Sequence, residues 1–297
     1  MHAHIRRAFT LVELLVVIAV VAILIGVLLP ALAGARGAAH ASIDANNLRQ
    51  VQLGAQVYTN DYETFLPMRM KEGHYHTPTG RAKPRFHWFV GDIVGQPFVP
   101  RNEEEVEILL NSDEIPRIDN EVFISPTHTV DMFQDLSGTI KALRNGSYGY
   151  NYQYLGNSRT DNPKPDFDNF PVNPSSIRSP SKTISFAGSL GNQNKSVDTG
   201  GAAREHAYTM DPPRNDVENT NAQRFAQVDG KSPAEARHSG RANVVFLDGH
   251  TEALTLDQLG YVVVDEDRNL VANDAGDNGL WNGKGFDPDA TDTQAAP

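Results

Sequence analysis

The first residue out of place in this chain is Glu13. It lies in a stretch from Phe9 to Leu29, 21 residues that contain no other ionisable side chain. At 1.5 Å per residue such a stretch makes a helix roughly 30 Å long, the thickness of a hydrocarbon core. A carboxylate near the start of a lipid-exposed helix costs on the order of 2.5 kcal/mol or more, so it requires a partner. No Lys or Arg lies between Phe9 and Pro30. A cut just before Phe9 would supply a cation, because the new terminal ammonium would lie four residues from Glu13, within reach in its own chain or a neighbouring copy.

A second constellation lies far away. His238 is followed by nine residues and then Asp248-Gly249, and strand-like runs from Ala242 to Leu247 and from His250 to Leu254 flank that pair. The pattern predicts a two-residue type I′ hairpin, with positive φ at both Asp248 and Gly249. If His238 lies on a strand pairing with the hairpin, its ring could hydrogen-bond the turn or Asp248. One His and one Asp fall short of a catalytic or metal site, so a structural role is expected for His238, Asp248 and Gly249.

Other candidates are weaker. His74 and His76 share a side of an extended segment and with His87 could bind zinc or copper, but no spacing fixes a third or fourth ligand, and a solvated loop is expected. Asp265, Asp267 and Asn269 open like a calcium loop, yet Leu270 stands at the sixth position and Gly276 at the twelfth. No metal ligands are assigned. The chain has no Gly-rich phosphate loop, nucleophile elbow or His-Glu-x-x-His helix, and Ser239 beside His238 reads as a turn serine. An enzyme is not expected.

The elements that hold these residues can be read in outline. Pro30 could end the first helix, but Ala41, Ala45, Leu48, Val51 or Gln52, Ala55, Tyr58 and Tyr62 recur at three or four residues. That stripe predicts a helix continuing past Pro30 and docking on a globular domain. Phe86–Val90, Glu121–Ile124, Lys182–Ala187 and the alternating Tyr148–Tyr154 row read as strands, and Asn102–Leu110 as a short helix. The tyrosine row could stack on sugars, although packing is the expected use. Thr255 and Gln258 fit a capping box. Asn157–Ser176 reads as loop and Gly191–Gln223 as a long surface excursion. The acidic, Gly- and Asn-rich end from 265 to 297 reads as a mobile tail.

Composition narrows the function. There are 37 acidic against 26 basic residues, which argues against nucleic acid or anionic lipid as the main partner. Without cysteine there is no disulfide, thiolate metal site or Cys nucleophile. The Gly and Pro content indicates a loop-rich body containing β-structure.

Arg6-Arg7-Ala8 followed by Phe9-Thr10-Leu11-Val12-Glu13-Leu14-Leu15-Val16-Val17-Ile18-Ala19 closely resembles the cleavage and methylation segment of type IV prepilins and type II secretion pseudopilins. The resemblance implies removal of a basic leader by a prepilin peptidase, N-methylation of Phe9, and a role for Glu13 in guiding subunits into a filament. Ala8 departs from the usual Gly before the cut. Asn46 to Leu66-Pro67 and the His238-to-Gly249 spacing resemble a large pseudopilin-like family of planctomycetes and their relatives. Members often carry Cys-Pro where this chain has Ser125-Pro126, and some pseudopilins hold a structural calcium, to which Asp61, Glu63 or late acidic residues could contribute.

The implied fold is α+β and pilin-like: a leader at 1–8, a membrane-spanning half-helix at 9–29, its continuation at 30–63, an antiparallel-sheet domain with long loops at 64–264, and the tail. The implied protein is a single-pass inner-membrane subunit with its domain periplasmic or extracellular. Its implied partners are the peptidase/methyltransferase, other pseudopilins and an inner-membrane assembly platform. Two alternatives stand beside it. Ala31-Leu32-Ala33 fits a signal-peptidase site, although a usual apolar region is about 7–15 residues long and carries no Glu. The anchored domain could also be a glycan- or protein-binding module that uses the pilin segment only for export.

Overall fold

The computed structural model describes residues 11–66, 86–91, 93–95, 121–128, 146–156, 172–189, 209–213, 233–263, 270–271 and 276–285. Helix α1, Leu11–Tyr62, runs unbroken through Pro30. Pro30 removes one backbone donor, but strong helix formers on both sides carry the helix past it. Residues 11–39 are exposed all round, and burial begins in earnest at Asp44. The buried positions Asp44, Leu48, Val51, Ala55 and Tyr58 then recur every three or four residues, so one face of this half packs on the domain.

The domain is a four-stranded antiparallel sheet in chain order: β1 Tyr148–Tyr150, β2 Ile184–Gly188, β3 Ala242–Phe246 and β4 Thr251–Leu254. Together with the long helix this gives the α+β pilin-like architecture implied above. Tyr148, Tyr150, Phe186 and Val245 face α1, whereas Ile184, Val244 and Phe246 pack against Met210, Leu259, Tyr261 and Trp281 on the other side. Covering on both faces explains why β1, β2 and β3 are buried at every residue. A register shift between Ile184 and Phe186 lets Ser185 reach α1 beside Phe186. A separate two-stranded ribbon pairs β5, Val262–Val263, with β6, Leu270–Val271.

Several expectations are corrected. Phe86–Val90 is a short helix, α2, not a strand. Its Phe86 and Val90, one turn apart, both enter the core beside α1. Gly54 lets α2 approach, since a Cβ there would sit 3.1 Å from the Val90 Cβ. Glu121–Phe123 is a single 3-10 turn, not a strand. Its carbonyl at Glu121 and that of Ile124 accept from Asn47 Nδ2 of α1 at 3.0 and 3.3 Å, which takes the place of strand pairing.

The Tyr148–Tyr154 row makes only a three-residue strand. Tyr148, Tyr150 and Tyr152 are core residues, which leaves no exposed aromatic face for sugars.

The hairpin also differs from a type I′ turn. Gly249 N donates to Phe246 O and Phe246 N to His250 O, so the loop is Leu247-Asp248-Gly249. Gly249 has φ +92 and Asp248 is not among the positive-φ residues. Three residues with glycine last make a turn plus bulge, which needs positive φ at one position instead of two. The capping box does form: Thr255 N donates to Gln258 Oε1 at 3.0 Å and Gln258 N to Thr255 Oγ1 at 3.3 Å, closing one turn.

The stretch assigned to the tail is partly core. Trp281 is fully buried, its Nε1 donates to Leu259 O at 2.9 Å, and Asn151 Nδ2 donates to Trp281 O at 3.0 Å. The Asn102–Leu110 segment, His74, His76, Asp265, Asp267 and most of Gly191–Gln223 lie outside the described residues.

Because Trp281 fills the layer behind the sheet, Trp281→Ala is expected to cost about 3–5 kcal/mol. That should lower the thermal midpoint of the detergent-solubilised protein by about 10 °C, given roughly 2–4 °C per kcal/mol for a domain of this size. A shift of a degree or less, as for a mobile tail, would contradict this packing.

Candidate functional site

Two surfaces of α1 carry the unusual chemistry. The first is the exposed apolar half with Glu13 in its opening turn, where an acid also suits the positive end of the helix dipole. Among the described residues this is the one helix long and apolar enough to cross a membrane.

The second is a buried polar seam between α1 and the sheet, centred on Asp44. This carboxylate is 1 % exposed. Tyr148 OH donates to its Oδ1 at 2.8 Å, while His238 Nε2 and Asn243 Nδ2 donate to its Oδ2 at 2.9 and 3.3 Å. Burial acts to raise the Asp44 pKa. The hydrogen bond from His238, the charge of Arg237, and hydrogen bonds from Ser125 and Tyr148 outweigh it and hold the acid below its ordinary 3.8. The Tyr148 phenol is pushed well above 10.0, by burial first and then by the Asp44 charge. Asp44 is therefore an ionised group inside the protein, and the Tyr148 proton stays in place to serve it.

A second layer stands behind the first. Ser147 Oγ lies 2.6 Å from His128 Nδ1 and accepts from Ser125 N at 2.8 Å. His128 Nε2 faces Glu235 Oε2 at 3.7 Å, and Arg237 Nη2 pairs with the same Glu235 oxygen and reaches Ser147 O at 3.4 Å. Burial, followed after Glu235's partial offset by the Arg237 charge, holds His128 below its ordinary 6.5. A serine beside a histidine and a glutamate has the parts of an activated nucleophile. Ser147 is nevertheless fully buried, and its oxygen already accepts a backbone amide. The arrangement crosslinks the loop at 121–128 to β1 and to the strand approach at 235–238.

Further along α1, Gln52 Nε2 and Gln56 Nε2 both donate to Leu247 O, at 3.0 and 2.8 Å. Ser185 Oγ donates to Gln52 Oε1 at 2.5 Å. Asn243 Nδ2 also donates to Ala41 O at 2.8 Å. The helix is thus fastened at Ala41, Asp44, Asn47, Gln52 and Gln56 by directional bonds.

The residues singled out from sequence separate. His238 does not meet Asp248 or the turn. It forms a short bridge with Arg241 through Ser239 and Gly240, both at positive φ, and so its ring reaches Asp44. Asp248 instead pairs with His250 Nδ1 at 2.5 Å at the exposed hairpin tip, and His250 lowers its pKa against the opposing effect of burial. Gly249 shapes that tip. His87 lies in the core. Among the described residues no three His, Asp or Glu side chains come together as a metal site. Ala8 and Phe9 lie outside the described residues. Sequence reading missed Asp44, although its place in the stripe between Ala41 and Leu48 was the available signal: an acid on the buried face of a helix requires partners.

Residues 4–29 match the family model of the prokaryotic N-terminal methylation motif. The N-terminus is of the prepilin type. No curated protein and no solved structure matches the chain. The prepilin-type segment is thus continuous with the helix that the Asp44 seam fastens to the domain, so one helix joins the apolar anchor segment to the domain.

The seam sets an acid sensitivity. His128 has a lowered pKa in the folded state, so its contribution is present above pH 6.5 and is lost as pH falls from there through the lowered value. Asp44 adds a second loss as pH falls below 3.8 through its own lowered value. Melting should therefore weaken from neutral pH toward pH 5, and His128→Gln should flatten that slope. Asp44→Ala is expected to cost about 3–5 kcal/mol at pH 7, because it strands buried donors. An unchanged melting temperature for Asp44→Ala would refute the seam.

Proposed function

We propose that the chain is a structural subunit, a pseudopilin or minor pilin-like protein, of a type II secretion-like or type IV pilus-like filament. A prepilin peptidase cuts between Ala8 and Phe9 and the new Phe9 is N-methylated. The processed chain sits once in the inner membrane with its domain on the periplasmic or extracellular side, and other subunits and an inner-membrane platform assemble it. The observation that carries this reading is the methylation-motif match at residues 4–29 running into an exposed apolar half-helix continuous with the docked half. Such a helix has two stable environments, lipid and the helices of neighbouring subunits, and moving from one to the other needs only packing and a partner for Glu13. The terminal ammonium of Phe9 is that partner. His238, Asp248 and Gly249 act as structural residues, the first at the helix seam and the others at the hairpin tip.

Terminal mass analysis of protein purified from membranes should give an N-methylated Phe9 as the first residue. A terminus at Gly34 would mean signal-peptidase cleavage and overturn the reading. In a host carrying the assembly system, Glu13→Gln is expected to insert in the membrane as the parent does and to be lost from sheared or crosslinked filaments. Undiminished incorporation would remove Glu13 from assembly.

A further inference from the structure

Among the described residues of this acidic chain, three exposed cations come together and form no ion pair. Arg178 lies two residues before the short 3-10 turn Pro180–Lys182 and Lys182 closes it, and both are exposed. Arg178 N and Ser179 N donate to Gly283 O at 2.9 and 3.1 Å, and Ser179 Oγ donates to Lys284 O at 3.2 Å. A Cβ at Gly285 would lie 3.4 Å from Lys182 Cδ. These contacts bring Arg178, Lys182 and exposed Lys284 onto one surface, and among the described residues none of the three forms an ion pair.

Beside this surface opens a groove of about 190 Å³ between α1 and the turns at 174–182, lined by Phe65, Leu66, Ile177, Pro180 and Leu247 with Gln56 at its side. It is smaller than the roughly 300–1,000 Å³ of sites for drug-sized ligands, and suits a single large side chain.

We propose that this groove and its three cations receive an acidic segment bearing one large apolar side chain from a neighbouring copy of this chain. The chain contains such a segment: Phe286-Asp287-Pro288-Asp289-Ala290-Thr291-Asp292-Thr293, with an aromatic residue followed by three carboxylates. Charge complementarity selects the occupant, since the chain as a whole carries a net charge of −11 and the patch is locally positive. The headgroups of the chain's own bilayer are out of reach. The groove is walled by α1 residues from Gln52 onward, about 35 Å along the helix from Leu29, against a screening length of about 8–10 Å. Nucleic acid is disfavoured by the acidic remainder of the surface. This proposal goes beyond the filament reading and stands without it, because it is read on the isolated subunit.

The test uses the full-length protein in neutral detergent micelles and a fluorescein-labelled peptide of residues 286–293, followed by anisotropy. Saturable binding is expected. It should weaken tenfold or more in R178E/K182E/K284E, less in R178Q/K182Q/K284Q, and tenfold or more when the peptide's three Asp are replaced by Asn or its Phe by Ala. The substituted side chains are all exposed, and an unchanged thermal midpoint confirms that the variants fold. No saturable binding to the parent protein, or equal binding to the charge-reversed variant, overturns the proposal. Binding that ignores the peptide's Phe overturns the groove's part in it.

Discussion

The docking of α1 on the sheet depends on the buried negative charge of Asp44. Asp44 sits where α1 meets the sheet, and an ionised carboxylate there costs several kcal/mol unless it is fully partnered. Its partners come from β1 (Tyr148), the approach to β3 (Arg237 and His238) and β3 itself (Asn243). Their placement constrains the chain around them. The left-handed backbone at Ser239 and Gly240 turns His238 inward, and Asn243 interrupts an otherwise apolar strand to bond both Asp44 and the Ala41 carbonyl. The partly buried Arg237–Glu235–His128 group stands behind this set, and its Arg237 supplies positive charge that steadies the anion.

Polar docking solves a problem specific to a half-apolar helix. Were the second half of α1 held only by Leu48, Val51 and Ala55, sliding it along the sheet would exchange one apolar contact for another. Directional bonds do not permit that. A shift of one residue turns the helix by about 100° and lifts Asp44, Asn47, Gln52 and Gln56 off their acceptors and donors together. The two halves consequently cannot exchange roles, since the buried face of the docked half is too polar for lipid and the apolar run Leu11–Leu29 has no side-chain donors for the sheet.

Much of this was legible in the sequence and some was not, for physical reasons. Helix α1, its passage through Pro30, strand β2 and the capping turn at Thr255 follow from local periodicity and side-chain chemistry, which act within a few residues. His238 stood out by its spacing from Asp248, but spacing along the chain reports local neighbours, and its partner lies 194 positions away on α1. The aromatic segment Phe86–Val90 is too short for periodicity to decide, and tertiary contact with Gly54 favoured the helix. At the other end, acidic and Gly-rich composition hid a single tryptophan, although one buried indole is enough to fix its stretch of chain.

The consequence for the membrane half is mechanical. Residues 11–39 touch little of the domain, and Cβ atoms placed at Gly26, Gly34 or Gly37 would meet nothing within 4 Å. Pro30 lies within this stretch, so the missing backbone donor falls where no packing resists bending, whereas the half from Ala41 onward is held at five positions. The carboxylate that is costly to bury thus keeps the domain and the docked half of α1 a single body.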